Sequence, residues 1–356
     1  MSGSAPLVSA EARALAAISA LAAEAQLDAA LTRLRGGAGP LAALAVGDER
    51  DPAPDLLDGR VLEAICQRAL GGARGAVFTR RTEATFLAAH GLAYAAVARD
   101  RRVDAASSVA ALLGLATPAP ALRAALEGLR VLDFACGGGA LLAAAAILAG
   151  RVGARLRLFG LDVSPLAARA SAARLALLGA PAEVRAADAL AARWPRADLI
   201  LANPPFVRHE LLSPAAKALA VKASGLSRQA DLSAHLVALA LRRADVVALV
   251  VPRALDTSRS AAPLRRDAAA RGAWALRLRS ASGGSFAASV DTLLAVWVAG
   301  AIAGREAEAT VPLESLAPAE LAALARGVST PRLEVFVARG GAAPSSGVRV
   351  SDVADV

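Results

Sequence analysis

Ala197-Asp198-Leu199-Ile200-Leu201-Ala202-Asn203-Pro204-Pro205-Phe206 is the stretch on which the reading of this chain turns. Its first six residues are apolar apart from Asp198 and stop at two prolines, the pattern of a short buried parallel strand whose tip breaks into a loop. Pro204 and Pro205 have no N–H and a fixed φ, so the loop neither pairs onward nor wanders. The Asn203 side-chain oxygen, the Pro204 carbonyl and the Phe206 ring can then converge on a planar group bearing an exocyclic amine. The two oxygens accept its two hydrogens and the ring stacks on its face. The plainer reading is a strand ending in a Pro-Pro turn with a core phenylalanine. The order of features upstream weighs against it.

Strands and helices alternate on both sides of this stretch. Strands are expected from 131 into the glycine loop at 137–139, and at 155–162, 182–188, 199–202, 246–251, 274–279 and 292–298, with helices at 140–150, 165–179, 231–243 and 259–271. The pattern predicts an α/β fold: a Rossmann-like, seven-stranded sheet with helices on both faces and right-handed crossovers. Ligands of such sheets bind at the carboxyl ends of the strands. The loops at Gly137, Asp162, Asp188 and Asn203 should therefore share one rim.

Gly137-Gly138-Gly139 lets backbone approach a ligand without a Cβ in the way. Leu142 stands where a third glycine would complete G-x-G-x-x-G, which argues against a dinucleotide pyrophosphate. Asp162 can accept both hydroxyls of a ribose, and Asp188 an adenine amino group. Each acid alone reads as a solvated turn residue. Three of them, counting Asp133, at successive strand ends point to a nucleoside carrying no phosphate.

The chain has 356 residues, enough for one large domain with appendages or for two. Of 40 Lys and Arg, only Lys217 and Lys222 are lysine. A net charge of +9 favours an anionic partner such as nucleic acid, although the basic residues are scattered, as on a codon-biased surface. Cys66 and Cys136 have no metal spacing, which suits a reducing, cytoplasmic setting. No signal peptide and no membrane span are expected. His90, His209 and His235 form no metal or triad set, and no metal is expected. His90 reads as a helix-surface residue; His209, beside the Pro-Pro loop, reads equally as solvated or as a nucleic-acid contact.

Residues 1–74 read as an N-terminal helical region. A further helix runs to about 98, capped by Thr79 or Thr82 with Glu83 in its first turn. From 304 to 356 the chain reads as a linker with one helix at about 318–326, leading toward an absent target-recognition domain. That domain is either a separate subunit or lost.

Across residues 75–303 the chain resembles the class I S-adenosylmethionine-dependent methyltransferases, and within them the gamma-type adenine-N6 DNA methyltransferases of type I and type IIG restriction–modification systems. The resemblance implies S-adenosylmethionine as cofactor, DNA as partner, and a separate specificity subunit as a second one. It implies catalytic roles for Asn203, Pro204, Pro205 and Phe206. It places the cofactor on Thr79, Asp133, Ala135, Gly137, Gly139, Asp162, Asp188 and Asn203, and the substrate on Phe206, Arg208 and Phe286. Phe286, in Ser285-Phe286-Ala287-Ala288-Ser289-Val290-Asp291-Thr292, reads equally as a core residue before a strand. The sequence departs from the family at Arg80, where a proline is usual, and at Ser233, where an aromatic is. Rival readings are methylation of an RNA base amine or a protein glutamine amide, or a cofactor-binding scaffold with weak catalysis.

Overall fold

The computed structural model describes residues 79–180, 182–280, 291–301, 303–310, 315–339 and 348–349. The expected N-terminal helices at 1–74, residues 75–78, Cys66, and Phe286 with its neighbours 285–290 lie outside the described residues.

Three helices precede the sheet: α1 (Arg81–Arg99), α2 (Ala105–Leu112) and α3 (Pro120–Leu126). The sheet is centred on β1 (Arg130–Asp133), β4 (Leu199–Ala202) and β5 (Val246–Pro252), paired in parallel. From β1 it runs outward, still parallel, through β2 (Arg157–Asp162) and β3 (Ala182–Ala186). Helices fill the crossovers: α4 (Ala140–Arg151), α5 (Pro165–Leu177), α6 (Pro214–Ser224) with α7 (Leu232–Leu241), and α8 (Ala262–Arg271). Beyond β5, β7 (Thr292–Ala299) inserts antiparallel between β5 and β6 (Gly272–Ser280).

β4 and β5 are buried throughout because both faces of the sheet are covered. Leu199 and Leu201 enter one apolar cluster with α1 and α4, whereas Ile200 and Ala202 enter the other with α7. This period-two division explains why the continuous run 197–202 carries no polar alternation.

The seven expected strands form the order β3-β2-β1-β4-β5-β7-β6, and three more continue past β6: β8 (Ala303–Ala309), α9 (Pro318–Arg326) following it, then β9 (Leu333–Arg339) and β10 (Val348–Arg349). The stretch read as a linker after 303 therefore contributes strands as well as the expected helix. Its inward residues are small: Ala307 and Ala309 are buried while Glu308 faces out. That apolar signal is too weak to read as a strand.

Two local expectations are corrected. Arg80, not a threonine, stands at the N-cap of α1, where its N–H donates to Glu83 Oε2 at 3.1 Å. His90 is 1% exposed, not on the surface, because α1 is covered on nearly every side. Its Nδ1 donates to the Phe86 carbonyl at 2.9 Å, and burial drives its pKa down to about 4.

Candidate functional site

Asn203 leaves the tip of β4 buried and followed by buried Pro204, half-buried Pro205 and half-buried Phe206. Its Nδ2 donates to Thr79 Oγ1 at 3.1 Å, joining the stretch 203–206 to the residue just ahead of α1. Two further bonds hold the chain after Phe206. The Leu232 N–H donates to the Val207 carbonyl at 3.0 Å, and the His209 N–H to Asp231 Oδ1 at 2.9 Å. His209 Nδ1 lies 3.4 Å from that carboxylate and 3.3 Å from Glu210 Oε2. Asp231, at the start of α7, thus latches the loop from 22 residues away. No short-range pattern announces such a contact.

The neighbouring strand tips carry the other expected residues. Asp162, ending β2, accepts from the Gly137 N–H and the Ser164 N–H, both at 2.8 Å. The glycine loop after β1 and the acid after β2 are therefore one unit. Each carboxylate oxygen keeps a second lone pair for a hydroxyl. Burial raises the Asp162 pKa, opposed by those two amides. Gly137 and Gly139 have φ of 50° and 78°, which favours glycine, and Gly139 caps α4 against Ser171 of α5.

Asp133 lies underneath, 1% exposed. Its Oδ1 accepts from the half-buried Ala135 N–H at 3.0 Å, while its Oδ2 is buried with no partner among the described residues. Burial pushes its carboxyl up to about 8, against the pull of the Ala135 amide, and the nearby Asp162 charge adds to the rise. A buried carboxyl oxygen without a partner suits a polar ligand group that hydrogen-bonds to it. Cys136 is buried beside it, its thiol pKa pushed well up by burial, consistent with a packing role.

Asp188 lies two residues past β3, exposed, with Oδ1 accepting from the Leu190 N–H at 2.9 Å. The Ala187 N–H donates to the Asp162 carbonyl at 2.7 Å, which ties this loop to the same edge. Arg208 is exposed two residues beyond Phe206. Asp188, Asp162, Asp133 and Asn203 thus stand at the carboxyl ends of β3, β2, β1 and β4, four neighbours along one rim.

Residues 96–270, which contain this whole rim from Asp133 to Arg208, match the family described as methyltransferase small domain. The chain has the class I methyltransferase fold. Among solved structures, the chain is similar to the type I restriction–modification methyltransferase subunit from Streptococcus thermophilus (15% identity, TM-score 0.59) and the modification subunit of a putative type I restriction enzyme from Vibrio vulnificus YJ016 (16%, 0.57). Each comparison covers 84% of this chain and 63% of the other, so the chain spans less than two thirds of those subunits. A putative class I S-adenosylmethionine-dependent methyltransferase from Listeria monocytogenes is similar over 80% of this chain and 83% of its own (11%, 0.53). At these identities the likeness concerns the fold. No curated protein matches the sequence. Among the described residues, no helix of the chain is long and apolar enough to cross a membrane.

Proposed function

We propose that the chain transfers a methyl group from S-adenosylmethionine to the exocyclic N6 amine of adenine in DNA, as the modification part of a restriction–modification system. The observation that carries this reading is the setting of Asn203. Its amide sits at the tip of β4, anchored by Thr79, one strand from the glycine loop and buried Asp133. The likeness to type I modification subunits supports DNA as the substrate and a separate specificity subunit as partner.

The residues fit the donor. Asp162 would take the ribose hydroxyls, Asp188 the adenine amine, and Asp133 with the Ala135–Gly139 loop the methionine portion. A bound sulfonium supplies an already activated methyl. The chain's own work is positioning, so no strong base is required. With Nδ2 committed to Thr79, Oδ1 is the end of the Asn203 amide that can accept from the target amine. The Pro204 carbonyl accepts the second hydrogen, turning the nitrogen lone pair toward the methyl. The base leaves the duplex at a cost of a few kcal/mol, on the order of what base flipping needs. Stacking on Phe206, with Phe286 as the second aromatic that the resemblance implies, offsets it by roughly 1–3 kcal/mol per base.

Labelled methyl transfer to adenine-containing DNA, with RNA and protein in parallel, tests the reading. DNA should be labelled at adenine N6. Asn203→Ala should lose about 100-fold or more in kcat, the scale of one missing transition-state contact. Undiminished transfer by Asn203→Ala, or transfer to RNA or protein alone, would refute it.

A further inference from the structure

We propose that the cleft between the loop after β4 and the turn after β5 binds a phosphodiester of the DNA strand carrying the target base, an inference that rests on the chain being a DNA methyltransferase. The cleft encloses about 490 Å³ and is lined by Arg208, Gln229, Arg259, Ser258 and Ser260, together with the His209–Asp231 latch and Glu210. Along the rim it comes next after Asn203, on the side away from the glycine loop, because β5 is the neighbour of β4 opposite β1. Arg208 follows Phe206 by two residues, so their Cα atoms lie within roughly 7 Å of each other.

The lining offers donors. Other arginines on this side are committed to the fold. Arg265 donates to the Leu255 and Ser258 carbonyls, both at 2.8 Å; Arg253 pairs with Asp291 at 3.2 Å; Arg277 pairs with Asp256 and Glu306. Arg208 and Arg259 are exposed and have no hydrogen-bond or carboxylate partner among the described residues. Arg259 nevertheless projects from a fixed turn. Arg265 clamps the carbonyl just before it, and the Ala262 N–H donates to its own carbonyl at 3.1 Å.

The two acids in the lining are turned toward His209. Asp231 Oδ1 accepts from the His209 N–H, and both carboxylates face His209 Nδ1 within 3.4 Å. The Ser258 and Ser260 hydroxyls meet at 2.7 Å and can turn a donor outward. Arginine, serine and glutamine are the side chains that grip phosphate and sugar oxygens, and a guanidinium does so with two parallel bonds.

The experiment uses the full chain with a fluorescent adenine-containing oligonucleotide, read by anisotropy across a salt series, and with steady-state methyl transfer. Arg259→Ala should weaken binding and raise the DNA KM about tenfold with kcat within twofold. Its slope of log affinity against log salt should fall by about one, the signature of a lost phosphate contact. Arg259→Lys should restore part of the affinity, and Arg101→Ala, an exposed position outside the cleft, should change none of these. One methylphosphonate walked along the strand should find a linkage whose neutralisation weakens the wild type but not Arg259→Ala. Equal salt slopes for wild type and Arg259→Ala, or no such linkage, would overturn the inference even where methyl transfer to DNA is intact. A wild type that binds DNA with this Arg259 dependence but transfers no methyl would leave the cleft standing and sink the activity instead. A wild type that binds no DNA would overturn the cleft.

Discussion

Asn203 is anchored by a bond that can be cut without altering its own side chain. Thr79→Val keeps the shape of residue 79 but leaves the buried Nδ2–H without its hydroxyl acceptor. Such a loss is worth about 1–3 kcal/mol, so kcat for methyl transfer should fall by roughly 5- to 150-fold, and Thr79→Ser should recover it. Asp133 offers a test that needs no substrate. Unfolded, its carboxyl titrates near pH 4; folded, burial places it at about 8. Between those values the native state holds a proton that the unfolded chain has released, so stability falls as pH rises. The contribution is fully present below pH 4 and is lost on passing 8. Asp133→Asn cannot ionise, so its melting temperature should lack the decline that the wild type shows from pH 5 to 8. Parallel melting curves against pH would refute the buried, protonated carboxyl.

At the scale of elements, the turn from β1 into α4 is fixed by one glycine. A Cβ at Gly139 would stand 2.7 Å from Ser171 Oγ, at a φ of 78° that costs a side chain about 1–2 kcal/mol by itself. Gly139→Ala should therefore lower unfolding stability by about 2–4 kcal/mol in denaturant titration, crowding included. Adding Ser171→Ala should return the crowding part only. The strands and helices of this central region were legible because each signal is local: an aliphatic run stopped by Pro204 and Pro205, a glycine cluster at 137–139, a proline at residue 165 opening α5. What escaped was carried by contacts distant in sequence. His90 sits on a helix whose burial depends on what packs around it, and the Asp231 latch joins residues 22 apart. The rim residues could be listed from the chain alone. That Thr79 reaches Asn203, 124 positions away, could not.

For the whole molecule, the unforeseen part is the outer edge of the sheet. Ala307, Leu324, Leu333 and Val335 share one apolar cluster with Leu276, Leu278 and Leu294, so β8, β9 and α9 complete the core on that side. A chain ended after residue 301 would expose that surface. It should melt at least about 10 °C below the full chain or aggregate, whereas the full chain should give one cooperative transition in calorimetry. An unchanged melting temperature would mark the edge as a separable appendage. To reach β8 the chain must leave β7 and step across the start of β6, since β6 lies between them. Two glycines make room for that step: a side chain on Gly304 would collide with the Trp274 carbonyl, and one on Gly272 with the Val298 carbonyl. Strict invariance at 272 and 304, were it found among relatives, would record a backbone crossing and not chemistry, and ranking positions by invariance alone would mistake that seam for a second active centre.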